Sequence, residues 1–244
     1  MRNPFVPLSR ASIAIISKDA PEAVKKGLRQ HIETVVETTP LEGVYNEISN
    51  HPDIAIMPVG NKRLVVAPSV YEYYRESLEP LGFSLVKGDS EPGYNYPENI
   101  SYNAAILGGN VVSYLKSLDR IVEDELSKKG LGFINVAQGY AKCSLAVIGE
   151  SRAITSDVRI AERLIKTGAD ILLIEHGHIR LQGMNYGFIG GSVGLLSERE
   201  LMITGSISNH PSKGIIKEFL NRYDIRLLQL SEETIIDIGT ILTF

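Results

Sequence analysis

The sequence predicts an α/β protein of five ββαβ units closed into a ring, a single domain over residues 1–244, and three observations predict it. A strand, turn, strand, helix, glycine, strand order recurs along the chain, with hydrophobic spacing switching between strand and helix periods. The glycines fall at the joints of that unit: Gly60, Gly108, Gly109 and Gly149 between paired strands, and Gly82, Gly130 and Gly168 after helices. The chain also begins partway through a unit and ends on a lone strand, so its two termini complete one unit between them. An ordinary open α/β sheet, in which such alternation is routine, is the alternative.

The terminal unit joins residues 234–244 to 12–37. Residues 12–16 form a returning strand, Asp19 caps a helix whose first turn holds Pro21 and Glu22, and 32–36 form the third strand. The second unit spans 53–87. A buried strand over 53–59, a Gly60-Asn61 turn and a return over 63–67 lead to Ser69 as helix cap. The helix over 70–80 carries Tyr71, Tyr74 and Leu78 on one face, and a strand over 83–86 ends the unit. The third unit, 102–136, has strands over 102–107 and 111–113, a helix over 118–129 and a strand over 133–136. The fourth, 142–175, has strands over 142–148 and 153–155, Asp157 as cap, a helix over 158–166 and a strand over 170–174. The fifth, 186–230, offers strands over 186–189, 193–196 and 201–204, a helix over 215–221 opened by Asn209 and Pro211, and a strand over 225–230.

Composition narrows the function. The chain has 25 Lys+Arg against 29 Asp+Glu, a net charge of −4, so it lacks the basic surplus of a non-specific nucleic-acid binder. With 43 % hydrophobic and 22 % charged residues it is a folded protein. Its longest apolar stretches, 53–57 and 171–174, fall far short of the roughly 20 residues of a membrane span. Met1-Arg2-Asn3-Pro4 lacks the basic start and apolar run of a signal peptide, and the single Cys143 suits a reducing compartment, so a cytoplasmic protein is expected. No cofactor is expected, no metal, and no nucleic-acid or membrane partner; a protein partner is left open.

The layout resembles the pentein, or guanidino-modifying-enzyme, fold, a five-bladed α/β propeller in which terminal strands complete one blade. Tyr102-Asn-Ala-Ala-Ile-Leu-Gly-Gly-Asn110-Val-Val is similar to the Gly-Gly-containing blade of deiminases and dimethylarginine hydrolases. Residues 53–68 followed by Ser69 resemble a repeat of translation initiation factor 6, a pentein without catalysis. The whole is most similar to uncharacterised bacterial proteins grouped by this fold. The resemblance implies a cysteine nucleophile on the last strand, a histidine acid/base and carboxylates for a cationic substrate. The last strand, 236–244, has no thiol: Thr240 or Gly239 stands where the cysteine is expected, and Tyr140 where the histidine is expected. The expectation is therefore a small-ligand-binding or scaffold protein without the usual guanidino chemistry. The alternative is an atypical amidinotransferase- or guanidino-hydrolase-like enzyme.

That alternative rests on Cys143 as a relocated nucleophile and His178 as its base. Cys143 sits at a strand start, where it is either a small core residue or a thiol facing the channel. His176 and His178, two apart on an extended segment after Glu175, point the same way, which suits metal or anion binding; a small-ligand role and a solvated loop are the alternatives. Zinc usually takes three or four protein ligands, which this pair does not supply. Asp53, Asn103 and Asp237 occupy comparable early positions on three opening strands; facing the axis they would form a polar ring for a small polar or cationic ligand in the central channel, and the alternative is that such Asp residues only start turns. Glu98 or Asn99, on the aromatic loop 94–99, would lie at its mouth. Ile-Ser-Asn-His-Pro occurs twice, at 48–52 and 207–211, and reads as turn chemistry. The glycine-rich 183–192 lacks the Lys-Ser/Thr ending of a phosphate loop.

Overall fold

A computed structural model describes residues 2–60 and 62–244, so the Asn61 half of the expected Gly60-Asn61 turn lies outside the described residues. The elements run β1 (Ile13–Ile16), α1 (Glu22–Leu28), β2 (Thr34–Glu37), α2 (Pro52–Ala55), β3 (Ile56–Gly60), β4 (Arg63–Val66), α3 (Tyr71–Leu78) and β5 (Ser84–Lys87). They continue with β6 (Ala105–Leu107), β7 (Asn110–Ser113), α4 (Arg120–Ser127), β8 (Gly132–Asn135), α5 (Ala141–Ser144), β9 (Leu145–Gly149), β10 (Arg152–Thr155), α6 (Val158–Ile165) and β11 (Asp170–Leu173). The last are β12 (Val193–Ser197), β13 (Glu200–Ile203), α7 (Lys213–Arg222), β14 (Arg226–Gln229) and β15 (Leu242–Thr243).

Among the described residues the strands form five three-stranded sheets, ordered β15-β1-β2, β3-β4-β5, β6-β7-β8, β9-β10-β11 and β12-β13-β14. In each, the opening strand runs antiparallel to the middle one, and the middle strand pairs in parallel with the third after a helical crossover. The terminal strand β15 completes the first sheet, with Ala14 opposite Thr243. The predicted five ββαβ units are therefore present, closed by the two ends of the chain. Opening strands such as β3 and β9 are buried throughout and read as near-continuous apolar runs, whereas third strands such as β5 and β8 end in exposed residues.

The units are stitched together where their opening strands begin. Asp53 N–H donates to the Gly239 carbonyl at 3.3 Å, and Asn103 Nδ2 donates to the Asp53 carbonyl at 3.4 Å. Lys142 N–H donates to Asn103 Oδ1 at 2.8 Å, and its Nζ donates to the Gly190 carbonyl at 3.1 Å. Thr240 N–H donates to the Gly191 carbonyl at 2.8 Å. Those five bonds visit all five units in turn and return to the first, which makes the ring a hydrogen-bonded circuit.

Several local expectations are corrected. Asp53 and Cys143 do not start strands: each lies on one helical turn, α2 or α5, that precedes its strand. Pro52 at the first helical position, with His51 held extended before it, favours that turn in α2. In α5 the Asn103 carboxamide accepts from both the Lys142 and Cys143 amides and holds the turn. Residues 186–189 are not a strand, because the Gly187 amide goes to the Ile179 carbonyl and the Phe188 amide to Asp237. Of 235–244 only β15 pairs with β1; Gly239 and Thr240, at φ of 70° and 81°, break the extended backbone before it.

Asp157 does cap its helix, accepting from Ile160 N–H at 2.9 Å. Asp119, unforeseen, caps α4 through Ile121 and Val122 and also takes the amides of Asp89 and Ser90. Ser69 and Asp19 cap nothing: the Ser69 hydroxyl binds Glu91, and Asp19 accepts from Asn50. No described helix is long and apolar enough to cross a membrane.

Candidate functional site

The stitched ring places chemistry at its centre because the residues that begin the opening strands all face one another. Cys143, on α5, directs its Sγ to Asp53 Oδ2 on α2 at 2.9 Å, a contact between residues 90 apart in sequence. Asn103 Nδ2 donates to the same sulfur at 3.2 Å. His51, just ahead of α2, brings a ring nitrogen into a group with the Cys143 sulfur and an Asp53 oxygen, all within 4.8 Å of one another. His51 Nδ1 lies 4.0 Å from Asp237 Oδ1. Asp237 is itself held by the Phe188 amide at 2.8 Å and the Gly239 amide at 3.0 Å. The close approach leaves no room for side chains on two neighbours: a Cβ on Gly191 would overlap Asp237, and one on Gly239 would overlap His51.

These groups are buried, with His51 at 6 %, Asp53 at 2 %, Cys143 at 3 % and Lys142 at 4 % exposure. Burial decides their protonation. It pushes the Cys143 thiol well above its ordinary value, and the Asp53 and Asp237 carboxylates push it further. Burial lifts the Asp53 carboxyl to about 7, against the opposing pull of Lys142. It holds the His51 imidazole and the Lys142 ammonium below their ordinary values. Lys142 keeps its ammonium between the Thr240 hydroxyl and the Gly190 carbonyl, 5.2 Å from the Phe5 ring.

Space opens over this cluster. Between Pro4, Phe5, Pro58, Lys142 and Val193 the cavity is only about 10 Å³, because the N-terminal segment packs there. Over Cys143, His51 and Asp237 it is about 320 Å³, and its walls include Tyr45, Tyr96, Tyr140, Tyr186 and Phe188. Tyr140 donates to Asn99 Oδ1 at 3.0 Å, so the Tyr45 hydroxyl donates to it at 2.8 Å. Its ring lies 6.0 Å from Tyr96 and 6.3 Å from Phe188.

The predicted residues divide cleanly. Cys143, Asp53, Asn103 and Asp237 are brought together. His178 is not beside Cys143: it contacts Glu175 at 3.1 Å and lines a different cavity, so the imidazole next to the thiol is that of His51. His176 packs its ring on Tyr186 at 4.3 Å. Glu98 is exposed and folds over Gly93, and its loop contributes Tyr96 to the cavity instead. His51 and Lys142 went unforeseen as site residues. The repeated Ile-Ser-Asn-His-Pro did not single out His51, because the same pentapeptide also carries His210, and both are buried.

A ring of five ββαβ units closed by the two ends of the chain is the pentein fold, and the comparisons bear out that fold. DDAH from Pseudomonas aeruginosa, a mutant complexed with citrulline, superposes with TM-score 0.61 at 11 % identity, covering 96 % of this chain and 99 % of that one. An amidinotransferase of the saxitoxin biosynthetic pathway from Microseira wollei gives 0.56 at 11 % identity over 98 % and 96 %. Agmatine deiminase from C. jejuni gives 0.56 at 12 % identity over 93 % and 89 %. No curated protein matches by sequence. The chain belongs to a family of unknown function, DUF6873, whose model matches residues 15–242.

Proposed function

We propose that this protein binds a small organic cation of the guanidinium or alkylammonium class in the cavity over Cys143. The observation that carries the reading is the convergence of five aromatic side chains over a floor that holds the buried Asp237 carboxylate, with Asp53 beneath it against the Cys143 sulfur. Aromatic walls attract a desolvated cation, and carboxylates supply the opposite charge. Asp53, against the Cys143 sulfur, adds negative potential from below the cavity floor. Of the similar structures named above, one is complexed with citrulline and one is an agmatine deiminase, which agrees with this class. A buried reduced thiol suits a reducing compartment such as the cytoplasm.

Isothermal titration calorimetry with agmatine, arginine and choline tests the reading. At least one is expected to bind with Kd below about 1 mM, and Asp237→Asn, at the carboxylate that lines the cavity, to weaken it about fivefold or more. No heat from any of the three would overturn it.

A second reading, thiol chemistry of the amidinotransferase or guanidino-hydrolase kind, has one observation in its favour: Cys143 stands with His51 and Asp53 within 4.8 Å. A nucleophilic cysteine needs its thiolate, which burial and two carboxylates oppose at rest. A bound cation beside the sulfur would oppose those carboxylates and favour the thiolate. Product release from agmatine or arginine that disappears in Cys143→Ala would establish this reading; binding without turnover leaves the binding function alone.

A further inference from the structure

We propose that His51, Asp53 and Cys143 form a binding site for a thiophilic divalent cation of the zinc class, seated in the floor of the cavity. The three side chains offer a nitrogen, an oxygen and a sulfur within 4.8 Å of one another. Two of them carry a buried polar atom without a hydrogen-bond partner among the described residues, His51 Nδ1 and Asp53 Oδ1. Such orphans are costly, and a coordinated ion removes the cost. The donor set selects the ion, because a thiolate with imidazole and carboxylate favours zinc over magnesium or calcium. Ligand atoms around tetrahedral zinc sit about 3.5 Å apart, a spacing that side-chain rotation reaches from three groups already within 4.8 Å of one another.

The surroundings are those of a zinc site with an open position. Cys143 and His51 both face the cavity of about 320 Å³, which leaves room for water or a small ligand as the fourth partner. Asn103 Nδ2, 3.2 Å from the sulfur, orients it. Asp237 Oδ1, 4.0 Å from His51 Nδ1, adds a further negative group beside the site. On binding, the Cys143 S–H bond breaks and its electron pair goes to the metal; the thiol proton, and the proton of any Asp53 carboxyl still protonated, leave to solvent. The ion's two positive charges then meet one thiolate and one carboxylate, while Lys142 and Asp237 offset each other. The metal would share this cavity and the Asp53 carboxylate with an organic cation and compete with it, so the metal titration is run without one and reads the thiolate directly.

Titration of the full, EDTA-treated protein with Zn²⁺ and with Co²⁺ at neutral pH tests it. One equivalent of Zn²⁺ is expected to bind with Kd near or below about 1 µM, and Co²⁺ to give a thiolate-to-metal charge-transfer band. Cys143→Ser is expected to abolish the band, and His51→Ala to weaken zinc about 100-fold. His210→Ala is expected to leave both unchanged. Circular dichroism of each variant separates loss of the site from loss of the fold. A folded wild-type protein that shows no charge-transfer band, or a band that survives Cys143→Ser, would overturn the proposal.

Discussion

The two copies of Ile-Ser-Asn-His-Pro place their histidines in regions that differ in almost every other respect. His51 lies at the centre of the ring, against a thiol and two carboxylates delivered by other units. His210 lies in a cavity of about 460 Å³ lined by His178, Arg180, Ser206, Ser208, Glu232 and Glu233. Both are buried, at 6 % and 4 %, and both have a ring nitrogen without a partner among the described residues. Burial holds both imidazoles below their ordinary value, but a carboxylate opposes it chiefly at His51, while the neighbouring His178, its ring 5.4 Å away, reinforces it at His210. His210 Nδ1 accepts the Ser212 amide, so its role is first a local turn, as the pentapeptide suggests. The same five residues thus give the same local turn twice, and only convergence from distant units turns one copy into a candidate site.

The largest effect that should separate the regions is steric. Gly239→Ala would drive a Cβ into His51 at a φ of 70°, and is expected to cost about 3 kcal/mol or more in urea denaturation. Gly177→Ala, next to His178, meets nothing within 4 Å and pays only the strain of a φ of 92°, about 1–2 kcal/mol. Equal losses would mean that the centre is no more tightly packed than the rim.

The next effect is electrostatic. The Asp53 carboxyl titrates near 7 when folded and near 3.8 when free, so the folded state holds an extra proton between those values. Stability contributed by this group is present below pH 3.8 and is lost as pH rises toward 7. With EDTA present, Asp53→Asn is expected to gain on the order of 2 kcal/mol at pH 8 and little near pH 4. The same pH slope in wild type and variant would show that the buried carboxyl does not set it.

The smallest effect concerns the cavity walls. Tyr140→Phe removes the hydrogen bonds to Tyr45 and Asn99 and is expected to cost about 1 kcal/mol in thermal or urea unfolding. Glu175→Gln, at the exposed partner of His178, is expected to stay within about 0.5 kcal/mol. A larger loss at Glu175 would make the rim contact structural.

Much of the fold was legible because its signals are local. The apolar runs of β3 and β9, the cap at Asp157 and the glycines after helices are all read within a few residues, and Gly82, Gly130 and Gly168 do adopt positive φ. The single turns α2 and α5 were not legible, because a four-residue helix has no period to detect and Asn103, 40 residues away, holds one of them. Asp53, Asn103 and Asp237 were found by their repeated place in the unit. His51 was not, since nothing local distinguishes it from His210.

The sequence alone determined five repeated units, their joints and the terminal closure, since hydrophobic period and backbone preference act over short spans. Only the tertiary structure decided that Cys143 faces His51 and Asp53 rather than His178, and that burial holds the thiol protonated. Distances between units and exclusion of water exist only once the ring has closed, and those two quantities set the chemistry of the site.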